Sequence, residues 1–239
     1  MRLLLIAIPI LFFSCKKACF QKTGNEVSDQ IVIEDYTELE IHDRIEVELV
    51  NDSSSYIRII GNEAFIPNIA YSFKDGRLII ELDQSCGILN QTSQIPKVEL
   101  SLPFLNYIYF AGTEELYSET TLERDSLEIE CWNSSANIDL NISVDKLTLA
   151  NHIGASDIYL SGRADLSYIY SGDIGFLFLQ DLKANGLYLN HESYGEVHVS
   201  ASHTLEAELK KSGTLVYYGT LQFTQISNEF GGTVTQVTN

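Results

Sequence analysis

Four oxygen-bearing residues, Asn137, Asp157, Asp173 and Glu196, stand in the turns of a phrase that the chain repeats. With Thr214 and Thr233 they lie 20, 16, 23, 18 and 19 positions apart. If the turns stack in register, their side chains line up about 5 Å apart. Carboxylates at that separation repel unless a cation or water intervenes, and calcium accepts ladders of oxygen ligands. These four are therefore candidate calcium ligands, and calcium is the only cofactor the chain suggests. The simpler account is that Asp and Asn favour turns whatever else they do.

Other chemistry has little to stand on. The histidines are His42, His152, His191, His198 and His203. None forms a metal-ligating pair, and His191 and His198 lie seven apart with no helix to bring them together. The chain lacks a Gly-x-Ser-x-Gly elbow, a P-loop and a Cys-x-x-Cys. No catalytic residue is assigned and a non-enzyme is expected. The alternatives are a hydrolytic, carbohydrate-active β-helix with paired carboxylates, or a purely structural envelope protein. Tyrosines recur along the repeats, with Tyr159, Tyr168, Tyr170, Tyr188, Tyr194 and Tyr217 as candidate binding residues. Each offers a flat apolar face and a polar tip, suited to a glycan or a protein partner.

These residues must be positioned by strands. From about residue 107 the phrase is a small residue or Gly, a turn residue, then alternating apolar and polar positions. It recurs at Ser134–Ile138, Gly154–Ile158, Ser171–Ile174, Tyr194–Val197, Ser212–Leu215 and Gly231–Val234. A strand-like repeat near 20 residues predicts stacked coils that share one apolar interior. The expected fold is all-β: a right-handed β-helix-like solenoid of 18–20-residue coils over 104–239. A β-strand region over 31–103 should join or cap it. There Leu39–His42, Ile45–Leu49 and Lys97–Leu102 alternate with period two, and Asp75-Gly76 between apolar runs predicts a hairpin. The polar tail from Thr233 should blunt the far end.

The N-terminus reads as a targeting segment. Met1-Arg2 precedes an apolar run, Leu3–Phe13, too short to span a bilayer. The ending Leu11-Phe12-Phe13-Ser14-Cys15 resembles a bacterial lipobox, which implies removal of residues 1–14, lipidation of Cys15 and a tether over 15–30. The expected location is the cell envelope, on the outer membrane by its lipid, facing either the periplasm or the exterior. Cys19 in the tether and Cys86 in a loop both fall outside strand patterns, and an oxidising compartment would favour a bridge between them. Cys131 is expected to be a half-buried free thiol. The net charge of −18 argues against nucleic acid as a partner.

Three stretches carry a resemblance to a known family: Tyr36–Ile41 with Ile45–Leu49, Asp75–Ile80, and the repeated small-Gly turns. They resemble the head GIN domain of putative auto-transporter adhesins (DUF2807), over about residues 31–236. The segments Cys19–Gly24 and Cys86-Gly87 are similar to a Bacteroidetes lipoprotein branch, and Leu215–Gly219 is similar to the closing Tyr-x-Gly of many members. The resemblance implies a β-helix-like stack and an adhesin-like envelope role, with no catalytic residues. The chain departs from the usual Ser-Gly-Ser-Gly turns at Ser135-Ala136 and Gly154-Ala155.

Overall fold

The computed structural model describes residues 24–63, 69–82 and 95–238. The proposed signal segment, Cys15, Cys19 and Cys86 lie outside these residues. Every regular element described is a strand, and together they form a solenoid of about seven turns with coils of about 20 residues.

The stack is built on two ladders. One face runs β6 (Arg77–Leu82), β2 (Glu38–Asp43), β8 (Tyr107–Gly112), then the later halves of β10 (Leu122–Ser134), β11 (Ile138–Gly154), β12 (Ile158–Asp173), β13 (Leu177–Ser193) and β14 (Glu196–Leu209), ending on β16 (Phe223–Asn228). The other runs β7 (Lys97–Ser101), β3 (Glu46–Val50), β9 (Leu116–Tyr117), the early halves of β11–β14, then β15 (Thr214–Tyr218) and β17 (Thr233–Val237). All these pairings are parallel. The central strands are 13 to 17 residues long because each bends without breaking. In β11 the bend is Asp145-Lys146, two consecutive outward residues between buried Val144 and buried Leu147.

Register puts like on like inside. Ile129, Leu149, Ile169, Leu189 and Ala207 form one buried column, and Ile138, Ile158, Leu177, Val197 and Leu215 another. Each Leu or Ile withdrawn from water contributes about 1.5–3 kcal/mol. No single coil could enclose these side chains, so the stack is the unit of stability.

The N-terminal end is closed differently. β4 (Tyr56–Asn62) runs antiparallel to β7, and β1 (Glu26–Val32) antiparallel to β4. β5 (Ile69–Lys74) folds back on β6 through Asp75-Gly76, whose φ values of 54° and 84° are those of a tight hairpin turn. Antiparallel strands thus cover the parallel ladder where it would otherwise present an open edge.

Three expectations are corrected. The tether does not extend to residue 30, because Glu26 onward pairs with the free edge of β4 and needs no burial to do so. The end from Thr233 is not a tail but the last rung, β17, paired with β15. Cys131 is fully buried: it lies in step with Leu127 and Ile129 on the inward side, and its Sγ sits 3.4 Å from Ser156 Oγ. Burial raises the pKa of this thiol.

Candidate functional site

Outward columns on the first face make a groove. In register across β11–β14, Thr148, Tyr168, Tyr188 and Glu206 form one column, and Ala150, Tyr170, Asn190 and Glu208 the next. They border a groove of about 400 Å³ with a mainly apolar lining. Ala150 is what opens it, since a larger residue there would fill the space beside Tyr170. The rings of Tyr168 and Tyr188 stack with centroids 5.2 Å apart and planes 14° apart. The Lys146 ammonium covers the Tyr168 ring at 5.5 Å. Tyr170 leans on His152 at 5.3 Å, and His152 stacks on Trp132 at 3.9 Å. Each coil repeats the same backbone, so the rings must stack at about one strand spacing. Stacking fixes both groove walls before any ligand arrives.

Thr148 and Lys146 continue the groove into a polar cleft of about 580 Å³, lined also by Glu38, Arg77, Asn106, Tyr107 and Glu128. Arg77 is tied down there. It donates to Glu40 at 2.6 Å and to Glu38 at 2.9 and 3.0 Å, which raises its pKa. Its guanidinium also lies 5.1 Å over the Tyr107 ring. Burial, helped by Glu130, pushes the Tyr107 phenol up to about 12. At the other end Lys210 bridges Glu192 and Glu208 at 3.0 and 3.3 Å.

The structure gathers Tyr168, Tyr170 and Tyr188 but not the other three candidate tyrosines. Tyr159 belongs to the second face, stacked on Phe178 at 4.8 Å. Tyr194 projects from a corner under Lys211, and Tyr217 packs half-buried against the end of the core. Reading single tyrosines missed Ala150, Asn190, Glu206 and Glu208. The 20-residue offset applied to Tyr168 and Tyr170 would have found the first two.

The turn oxygens do not converge. Asn137, Asp157 and Glu196 share a register column, but its third coil holds Phe176, not Asp173. Asp173 sits three residues earlier at φ 57°, and its carboxylate accepts from the Gly154 N–H at 2.9 Å. Asp157 accepts from the Phe176 N–H at 3.2 Å, and Glu196 faces His198 at 3.1 Å. The expected ladder is therefore interrupted, and two of its members already serve backbone donors. Among the described residues no three His, Cys, Asp or Glu side chains are grouped to hold a metal.

A polar column inside the stack was also not foreseen. Cys131, Asn151, Ser171 and His191 follow one another in register, all buried. They face a corner of small residues, Ala136, Ser156, Gly175, Gly195, Gly213 and Gly232. A Cβ on Gly175 would overlap the Ser156 carbonyl oxygen, so the corner closes only with glycine there.

Comparison with solved structures supports the fold. A putative adhesin from Bacteroides fragilis superposes with a TM-score of 0.79 at 21% identity, covering 89% of this chain and 97% of that one. A putative adhesin from Parabacteroides distasonis gives 0.65 at 19%, covering 90% and 98%. A putative lipid binding protein from the same species gives 0.64 at 18%, covering 90% and 97%. At these identities the likeness concerns architecture. No curated protein matches the sequence. A family model matches residues 35–220, most of the chain, and so the protein belongs to the family described as putative auto-transporter adhesin, head GIN domain (DUF2807).

Proposed function

We propose that this protein is a non-catalytic, adhesin-like binding module of the cell envelope, anchored to the outer membrane by lipid on Cys15, and that the Tyr168–Tyr170–Tyr188 groove holds a glycan. The observation that carries the reading is the groove itself: an open apolar floor bordered by phenol, amide and carboxylate groups. A sugar presents the same mixture, an apolar ring face edged by hydroxyls. Glu206 and Glu208 at one end, on a chain of net charge −18, favour neutral or amino sugars over acidic polymers. The groove is open and shallow, as suits a chain lying across coils. The anchor rests on the basic start, the short apolar run and Ser14-Cys15.

A glycan array probed with the protein tests the binding. Neutral or amino-sugar chains should bind, and Tyr168→Ala and Tyr188→Ala should each weaken the best of them at least tenfold, a loss of about 1.4 kcal/mol. Binding unaffected by either change would move the site elsewhere. Capture of peptides with no glycan signal would replace the glycan by a protein partner. Metabolic labelling with a radioactive fatty acid tests the anchor, since Cys15→Ser should abolish incorporation.

A further inference from the structure

Five apolar side chains project from one corner of the solenoid: Ile153 (51% exposed), Ile174 (53%), Phe176 (38%), Tyr194 (64%) and Phe230 (61%). Ile153 lies at the end of β11, and the other four lie in the turns that carry the chain from the first face to the second. Asp173 pairs with Ser193, so Ile174 and Tyr194 follow as neighbours in adjacent coils. From Ile153 to Phe230 the row crosses four strand spacings, about 20 Å. The coil between Tyr194 and Phe230 presents Lys211 and Ser212 here, so the apolar groups run from Ile153 to Tyr194 with Phe230 one coil beyond, and such a group marks a contact surface.

Most of the charges at the corner are engaged by neighbouring groups. The carboxylates of Asp157 and Asp173 point onto backbone N–H groups, Glu196 faces His198, and Lys211 lies 5.0 Å over the Tyr194 ring. Glu229 adjoins Phe230. Its shape narrows the choice of partner further. The row is a narrow convex edge, at most two side chains wide, and two copies meeting along it would bury far less than the roughly 1,000 Å² of a stable protein interface. A convex edge also cannot enclose a small ligand. A fluid bilayer can mould itself around one.

The described chain begins at the same corner. Ser28 pairs with Ile60, Ile60 with Lys97, and Lys97 with Glu46, the first residue of β3, where the second face starts. Residues before Ser28 therefore run out past this corner, and Gly24 is held there by two hydrogen bonds to Asn62 at 2.8 Å. Residues 15–23 separate Gly24 from the end of the signal segment. Fully extended, nine residues reach at most about 30 Å. Ile153 lies five to six strand spacings from β1, also within about 30 Å.

We infer that this corner rests on a zwitterionic bilayer, with the solenoid lying lengthwise along the membrane and its five apolar tips in the interfacial layer. The inference builds on the Cys15 anchor: the tether brings the edge to the membrane and the tips fix the orientation. The groove then stands away from the lipid, open to a glycan.

The test uses the acylated full chain in phosphatidylcholine vesicles carrying brominated acyl chains, which quench tryptophan in contact with them. In a Trp132→Phe background, Tyr194→Trp reports on the corner and Asp145→Trp on the opposite bend. The Tyr194→Trp emission should fall at least twofold and the Asp145→Trp emission by less than a tenth, and adding Phe176→Ser with Phe230→Ser should erase the difference. Equal quenching at both positions, in a chain that stays with the vesicles only when Cys15 is present, overturns the orientation and leaves the anchor standing. A chain that does not stay with the vesicles overturns both. Shielding of Tyr194→Trp from aqueous iodide without bromolipid quenching also overturns the inference, since another protein then covers the corner.

Discussion

Gly213 lies so close to His191 that a Cβ on the glycine would overlap Nε2 of the imidazole. The two residues come from adjacent coils, and the backbone carbonyls of Ser193 and Gly195 crowd the same point. Gly213→Ala must therefore push on both a side chain and the backbone. Overpacking of this kind costs about 1–3 kcal/mol, and the urea midpoint should fall by that loss divided by an unchanged slope. Combining it with His191→Ala should recover part of the loss, because the imidazole yields its space and the carbonyls do not.

His191 also ties stability to pH. It is fully buried, with no side-chain partner for either ring nitrogen among the described residues and only the Gly195 backbone beside the ring, an opposing pull smaller than that of burial. Burial lowers its pKa, so the folded protein holds the ring neutral while the unfolded chain takes up a proton near pH 6.5. Below that pH the unfolded state binds more protons, and stability must fall as pH falls. His152 shifts in the same direction through burial, so part of the dependence belongs to it. Denaturant midpoints between pH 7.5 and 5 should decline for the parent chain and decline less for His191→Leu, which matches Leu209 in the next coil. Equal slopes for the two would show that His191 is not the group responsible.

Much of this arrangement was legible in the residues, and where legibility failed the cause is specific. The small-Gly turns set the period because backbone crowding at the corner demands small residues. Asp75-Gly76 announced its hairpin because that turn needs two positive φ values. Asp173 was misplaced because Gly172-Asp173 imitates the turn phrase three residues early. The uneven spacings of 16 and 23 marked the slip, and Phe176 restores them to 19 and 20. The groove was only half visible. A binding tyrosine and a packing tyrosine look alike in sequence, and only register shows that Ala150 leaves room beside Tyr170.

The misplaced aspartate yields its own expectation. Its carboxylate serves the Gly154 N–H, an interaction between neighbouring coils that needs no cation. Asp173→Ala should cost about 1 kcal/mol for the hydrogen bond, plus the strain of a positive φ without an Asp or Asn side chain to support it. Asp173→Asn should retain most of the stability. With the turn oxygens divided between two columns, EDTA should leave the thermal midpoint of the parent chain unchanged. A midpoint lowered by EDTA and restored by calcium would show that the turns gather around a metal after all.

The stacked pair Tyr168 and Tyr188 separates structure from binding. Face-to-face rings couple by about 0.5–1.5 kcal/mol beyond their buried area, so a double-mutant cycle of Tyr168→Leu and Tyr188→Leu should show non-additive losses of that size in unfolding free energy. If the pair serves only the stack, Tyr170→Phe should be silent in every assay, since it keeps the ring and removes one hydroxyl at the groove wall. If the groove holds a ligand, Tyr170→Phe should leave the unfolding midpoint in place and still weaken glycan binding severalfold. Measuring unfolding and binding on the same Tyr170→Phe protein distinguishes the two, because packing and recognition act there through different atoms of one side chain.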